Sequence, residues 1–137
     1  MAPQALPKKI LIVDDEPDTV AFLQMILEDN GYTTVATTQP DDVLGLVRDQ
    51  NPDLITLDVL MPNKTGVKVY RELRKTSEFA KIPIVVITGV NPGDYIQTGD
   101  ASSNGAPPPD AFIEKPIDSR KLLDLIRKLI EGREAGQ

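Results

Sequence analysis

Short apolar runs alternate along this chain with longer stretches whose apolar residues recur every three or four positions. Lys9-Ile10-Leu11-Ile12-Val13 predicts a first strand over 9–14, and Leu54-Ile55-Thr56-Leu57, set between Pro52 and Pro62, predicts a buried one over 53–58. The clearest strand is Ile82-Pro83-Ile84-Val85-Val86-Ile87-Thr88, whose nearly continuous β-branched run suits a parallel strand covered on both faces. Residues 32–37 have strand propensity, and Ala111-Phe112-Ile113 predicts a short fifth strand. Between these lie helical patterns. Pro17 opens one at the position where a missing N–H is harmless; Val20, Leu23 and Leu27 form its apolar stripe, and Gly31 closes it after Asn30. Pro40 opens a second, with Val43, Leu44 and Val47, ending near Asn51-Pro52. A third spans about 65–76 after the turn Asn63-Lys64-Thr65-Gly66, with Val69, Tyr70 and Leu73 inward. A last helix over about 118–131 places Leu122, Ile126 and Leu129 on one face, flanked by Leu123 and Ile130.

Residues 89–109 break this rhythm. Asn91, Pro92, Gly93, Gly99, Ser102, Ser103, Asn104, Gly105 and Pro107-Pro108-Pro109 leave room for one or two helical turns around 92–98, held chiefly by Tyr95 and Ile96. Strands alternating with helices imply βαβ units. The expected fold is therefore α/β: a doubly wound, five-stranded parallel sheet in the order 2-1-3-4-5, with helices on both faces and a short or irregular fourth helix. The 137 residues suit one domain over 1–137, with a core of about 8–131 after a Pro-containing lead-in.

Composition narrows the chemistry. Hydrophobic residues make up 40% of the chain, enough for a packed core, and the net charge of −6 argues against binding nucleic acid or an anionic membrane. The N-terminus has no signal-like apolar segment and no stretch approaches a membrane span, which points to a soluble, cytoplasmic protein. There is no Cys and no His, so thiolate chemistry, Ser-His-Asp triads and imidazole metal sites are excluded. Carboxylates, hydroxyls, Lys, Arg and a bound metal remain.

The acids at strand ends are the candidates. Asp14, Asp15 and Glu16 follow the first strand, and Asp58 ends the third. Ligands of open α/β sheets bind beyond the carboxyl ends of the strands. If the first and third strands are neighbours, these carboxylates meet on one rim. Two unit charges about 5 Å apart repel by roughly 3 kcal/mol at an effective dielectric near 20. A hard divalent cation cancels that repulsion, and Mg²⁺ favours one or two carboxylates, waters and a phosphate. Asp14, Asp15 and Glu16 could instead simply decorate a helix N-terminus, where the macrodipole favours acid, but that leaves Asp58 unexplained.

Ile12-Val13-Asp14-Asp15-Glu16, Leu57-Asp58-Val59-Leu60-Met61-Pro62 with Gly66, Ile87-Thr88-Gly89 and Lys115-Pro116 occur in this order, each at the end of a predicted strand. Together they resemble the receiver domain of bacterial two-component response regulators, over about residues 8–131. The resemblance implies a flavodoxin-like fold and Mg²⁺-dependent phosphorylation of Asp58 by a histidine kinase or phosphotransfer protein. It implies Asp14 and Asp15 as Mg²⁺ acids beside Asp58, with Leu60 contributing its backbone carbonyl. It implies Thr88 and Lys115 as partners of the phosphoryl oxygens, a cis Lys115-Pro116 bond, and Phe112 as the aromatic whose rotamer, with Thr88, follows phosphorylation. The output would be a changed affinity for a downstream protein, with no enzymatic turnover beyond self-phosphorylation and slow autodephosphorylation.

Two features depart from relatives. Leu60 and Val90 stand where many carry polar residues that orient the hydrolytic water, which predicts a long-lived acyl phosphate. The 91–109 stretch replaces a well-formed fourth helix and is expected to be the loosest part of the domain. The alternative of another class is a Mg²⁺-dependent aspartyl-phosphate phosphohydrolase of flavodoxin-like topology. Such enzymes carry D-x-D at the nucleophile, and here the second position is Leu60. An FMN binder would need a hydroxyl- and Gly-rich loop after the first strand, where this chain has acids.

Overall fold

The computed structural model describes residues 7–59, 65–89 and 109–135. Five strands, β1 (Lys9–Val13), β2 (Thr33–Thr37), β3 (Leu54–Leu57), β4 (Ile84–Thr88) and β5 (Ala111–Glu114), pair in parallel in the order β2-β1-β3-β4-β5. The α-helices among the described residues are α1 (Pro17–Asp29), α2 (Val43–Gln50), α3 (Thr65–Lys75) and α4 (Ser119–Ala135). The expected five-stranded order is thus the observed one.

Side-chain alternation along each strand feeds two apolar layers. Leu11, Val13, Ile55, Leu57, Ile84 and Val86 face Val43 and Val47 of α2 and Val69, Tyr70 and Leu73 of α3. Ile10, Ile12, Leu54, Val85, Ile87 and Ile113 face Val20, Leu23 and Leu27 of α1 and Leu122, Ile126 and Ile130 of α4. The central strands β1, β3 and β4 are covered on both sides, which is why they read as unbroken apolar runs. Edge strand β2 is only partly buried and keeps its threonines.

Several boundaries shift for physical reasons. β4 begins at Ile84, not Ile82, because Pro83 has no N–H to give the ladder. Its carbonyl still accepts from the Ile55 N–H at 3.0 Å, and the Ile82 carbonyl accepts from the Arg74 guanidinium at 2.8 Å. The Pro40 helix starts as a 3₁₀ turn, Pro40–Asp42, before α2. α4 runs on to Ala135, and its buried line is Leu122, Ile126, Ile130, so Leu129 sits on the flank. Gly31 ends α1 with φ of +93°, a conformation glycine adopts without strain. The short fourth helix expected around 92–98, with Tyr95, Ile96 and Val90, lies outside the described residues, as does Leu60.

Candidate functional site

β1 and β3 are adjacent, with Val13 opposite Leu57, so the residues that follow both strands emerge together. The Asp58 N–H donates to the Val13 carbonyl at 2.9 Å, and the Asp14 N–H to the Thr37 carbonyl at 3.3 Å. These bonds carry the ladder one step past the strands and fix both aspartates. Both are buried, at 3% and 1% exposure. Asp15 is partly exposed and Glu16 exposed, and carboxylate oxygens of Asp14, Asp15, Glu16 and Asp58 all lie within 4.8 Å of one another. The acids are therefore one cluster, not separate decorations of a helix end.

Gly66 closes one wall of the site. A Cβ built there would fall on the Asp58 carbonyl oxygen and on Val59 Cα, and would approach the Val59 carbonyl carbon to 2.8 Å. The first turn of α3 can lie against the backbone of Asp58 and Val59 only because this position has no side chain.

Lys115 follows β5, and its peptide bond to Pro116 is cis. Its N–H donates to the Thr88 carbonyl at 2.9 Å, which joins the ends of β4 and β5. Its ammonium crosses the rim to reach Glu16 at 3.1 Å, Asp14 at 3.2 Å and Asp58 at 3.5 Å. Burial works against the lysine charge, but the hydrogen bond to Glu16 and the charges of Asp14 and Asp58 outweigh it and hold the ammonium above the ordinary lysine range. Burial, and then the neighbouring Asp58 charge, push the Asp14 carboxyl up, against the opposing pull of the Glu16 N–H and of Lys115.

The strand-end acids pointed to a divalent cation as the remedy for their repulsion, and the family resemblance to Lys115 as a partner of phosphoryl oxygens; in this structure Lys115 also engages three of the acids. Four carboxylates facing one ammonium still leave excess negative charge, all of it on oxygen donors. That donor set fits a hard cation such as Mg²⁺.

Thr88 ends β4, is fully buried, and its hydroxyl has no hydrogen-bond partner among the described residues. Phe112 of β5 pairs in register with Val86 of β4 but is 37% exposed and belongs to neither apolar layer. The grip of Glu16 on Lys115 is what sequence reasoning missed. The two residues are 99 positions apart, and only the acidic third position after the first strand hinted at a contact.

Residues 10–127 match the family model of the response regulator receiver domain. The chain is 27% identical over 125 residues to the polar-differentiation response regulator DivK of Brucella anthropi, a match covering 91% of this chain and 98% of DivK. It is 29% identical over 124 residues to protein PilH of Pseudomonas aeruginosa, covering 90% and 98%. A CheY-like receiver domain from Methanospirillum hungatei shares its fold, with a TM-score of 0.79 at 24% identity over 96% of this chain and 99% of that one. The signal receiver domain of a histidine kinase from Syntrophus aciditrophicus superposes with a TM-score of 0.77 at 30% identity, over 91% of each chain. The matching model is that of a signalling module, so the phosphohydrolase alternative has no support. The chain belongs to the response regulator receiver family of two-component signalling.

Proposed function

We propose that Asp58 is the phosphoacceptor of this receiver, working within a single domain formed by the whole chain. The observation that carries the reading is the placement of its buried carboxylate beside Asp14 and Asp15, within 3.5 Å of the Lys115 ammonium. A carboxylate oxygen of Asp58 attacks the phosphorus of a phosphohistidine; the P–O bond forms, the P–N bond breaks, and the donor imidazole leaves. The chain has no His, so that phosphohistidine belongs to a histidine kinase or phosphotransfer protein.

Asp14, Asp15 and Asp58 would hold Mg²⁺, with the Leu60 carbonyl as a further oxygen. When bound, the ion supplies positive charge that screens the acids and the phosphoryl oxygens from one another. Lys115 turns one N–H from the acids to a phosphoryl oxygen, as a point charge. Thr88, whose buried hydroxyl lacks a partner among the described residues, donates to a second oxygen. The motion of Thr88, with a new rotamer of Phe112, changes the affinity for a downstream protein.

Incubation with acetyl phosphate and Mg²⁺ is expected to add one phosphate by mass spectrometry, with none on Asp58→Asn and none in EDTA. Labelling of Asp58→Asn at the wild-type rate would remove the phosphoacceptor assignment, and undiminished labelling in EDTA would remove the metal.

A further inference from the structure

We infer that Glu16 is a positioning residue, which holds Lys115 against the acids and competes with the incoming phosphoryl group for its ammonium. The inference rests on the reading of Asp58 as phosphoacceptor.

An ammonium has three N–H donors and no more. In Lys115 they meet three carboxylates: Glu16 at 3.1 Å, Asp14 at 3.2 Å and Asp58 at 3.5 Å. The ammonium is therefore fully engaged, and a phosphoryl oxygen gains an N–H only by displacing one partner. Asp14 and Asp58 are buried, so water does not readily take the place of the ammonium at either. Glu16 is different, because its side chain is 62% exposed and water can hydrate the carboxylate as the lysine leaves. Glu16 is thus the partner that yields.

Its own position supports a dedicated task. Glu16 is the N-cap residue of α1, yet its side chain caps nothing. A residue placed there for the helix would be Ser, Thr, Asp or Asn, whose short side chain reaches back to the first turn. Its backbone N–H is taken by the Asp14 side chain at 2.9 Å, which aims the longer Glu16 side chain at the far side of the rim. There it meets a lysine from the other end of the chain.

The test is the dependence of labelling on acetyl phosphate concentration, with Mg²⁺ present. Glu16→Gln is expected to lower the half-saturating concentration by about threefold, as suits a partly exposed ion pair, with a smaller change in the limiting rate. In a Lys115→Gln background the same substitution should have no effect. An equal effect in both backgrounds would mean that Glu16 only repels an anionic donor, and would overturn the inference. A second readout does not need the lysine variant. With ¹³C in the Lys115 side chain, Glu16→Gln should shift its signal before phosphorylation and leave it unchanged after. Equal shifts in both states, or none in either, would also overturn it. Asp58→Asn separates the two levels: if that variant still labels, the phosphoacceptor reading fails; if it does not label and Glu16→Gln is silent, only this inference fails.

Discussion

Burial, followed by the Asp58 charge, pushes the Asp14 carboxyl toward its protonated form. A group whose folded-state value lies above its unfolded value of 3.8 favours folding most at pH below that value, and loses the contribution as pH rises through the folded value. At neutral pH the ionised Asp14 therefore works against the metal-free fold. Asp14→Asn is expected to stabilise the metal-free protein at pH 7, read as a higher Tm. The advantage should shrink as pH falls toward 4, since wild type then gains what the variant already has. Thermal melts across pH in EDTA check both the sign and the trend. Much of this was legible: a carboxylate directly after a buried apolar run must sit at a strand end. The Lys115 grip was not. It closes chain separations of 57 and 101 residues, and no local pattern tells a lysine that crosses a rim from one that stays in water.

Between elements, Arg74 does the joining. From the last turn of α3 its guanidinium donates to the carbonyls of Ala80 at 2.9 Å and Ile82 at 2.8 Å, and to the Asp110 carboxylate at 2.7 Å. Asp110 also accepts the Ile84 N–H at 2.8 Å, so one pair of side chains fixes where β4 and β5 begin. The Arg74 side chain is 5% exposed, so its removal takes the guanidinium from two carbonyls and leaves the Asp110 carboxylate with the Ile84 N–H but no counter-charge. Arg74→Ala is expected to cost about 3 kcal/mol, read as a lower urea midpoint at an unchanged m-value. Sequence reasoning found α3 and both strands by periodicity and composition. It put the start of β4 too early because Ile82-Pro83 is apolar. Composition reports burial, whereas the ladder depends on donors, and Pro83 has none.

At the scale of the molecule, the parallel order brings the ends of β1, β3, β4 and β5 to one rim, where the acids, Thr88 and Lys115 lie, with Phe112 two residues short of the end of β5. That order was legible because alternating strands and helices leave few right-handed topologies. A ligand that binds only the folded rim must stabilise the whole domain. Mg²⁺ at 100 times its dissociation constant is expected to add about 2.7 kcal/mol, reversed by EDTA. Asp58→Asn should lose most of the gain. An Asp58→Asn protein stabilised as much as wild type would place the ion elsewhere. Among the described residues no helix is long and apolar enough to cross a membrane.

Gly66 and Arg74 lie on the same helix. At one end of α3, the missing Cβ lets its backbone rest directly on the carbonyl of Asp58 and on Val59, with nothing compressible between. Eight residues on, about 12 Å along the axis, Arg74 grips the chain where β4 and β5 start, at the opposite end of the strands from the rim. α3 is thus a strut clamped at both ends. Anything that displaced the Asp58 backbone would press on the first turn of α3, and the far end of that helix is tied through Arg74 and Asp110 to the start of β5, the strand that carries Lys115 back to the rim.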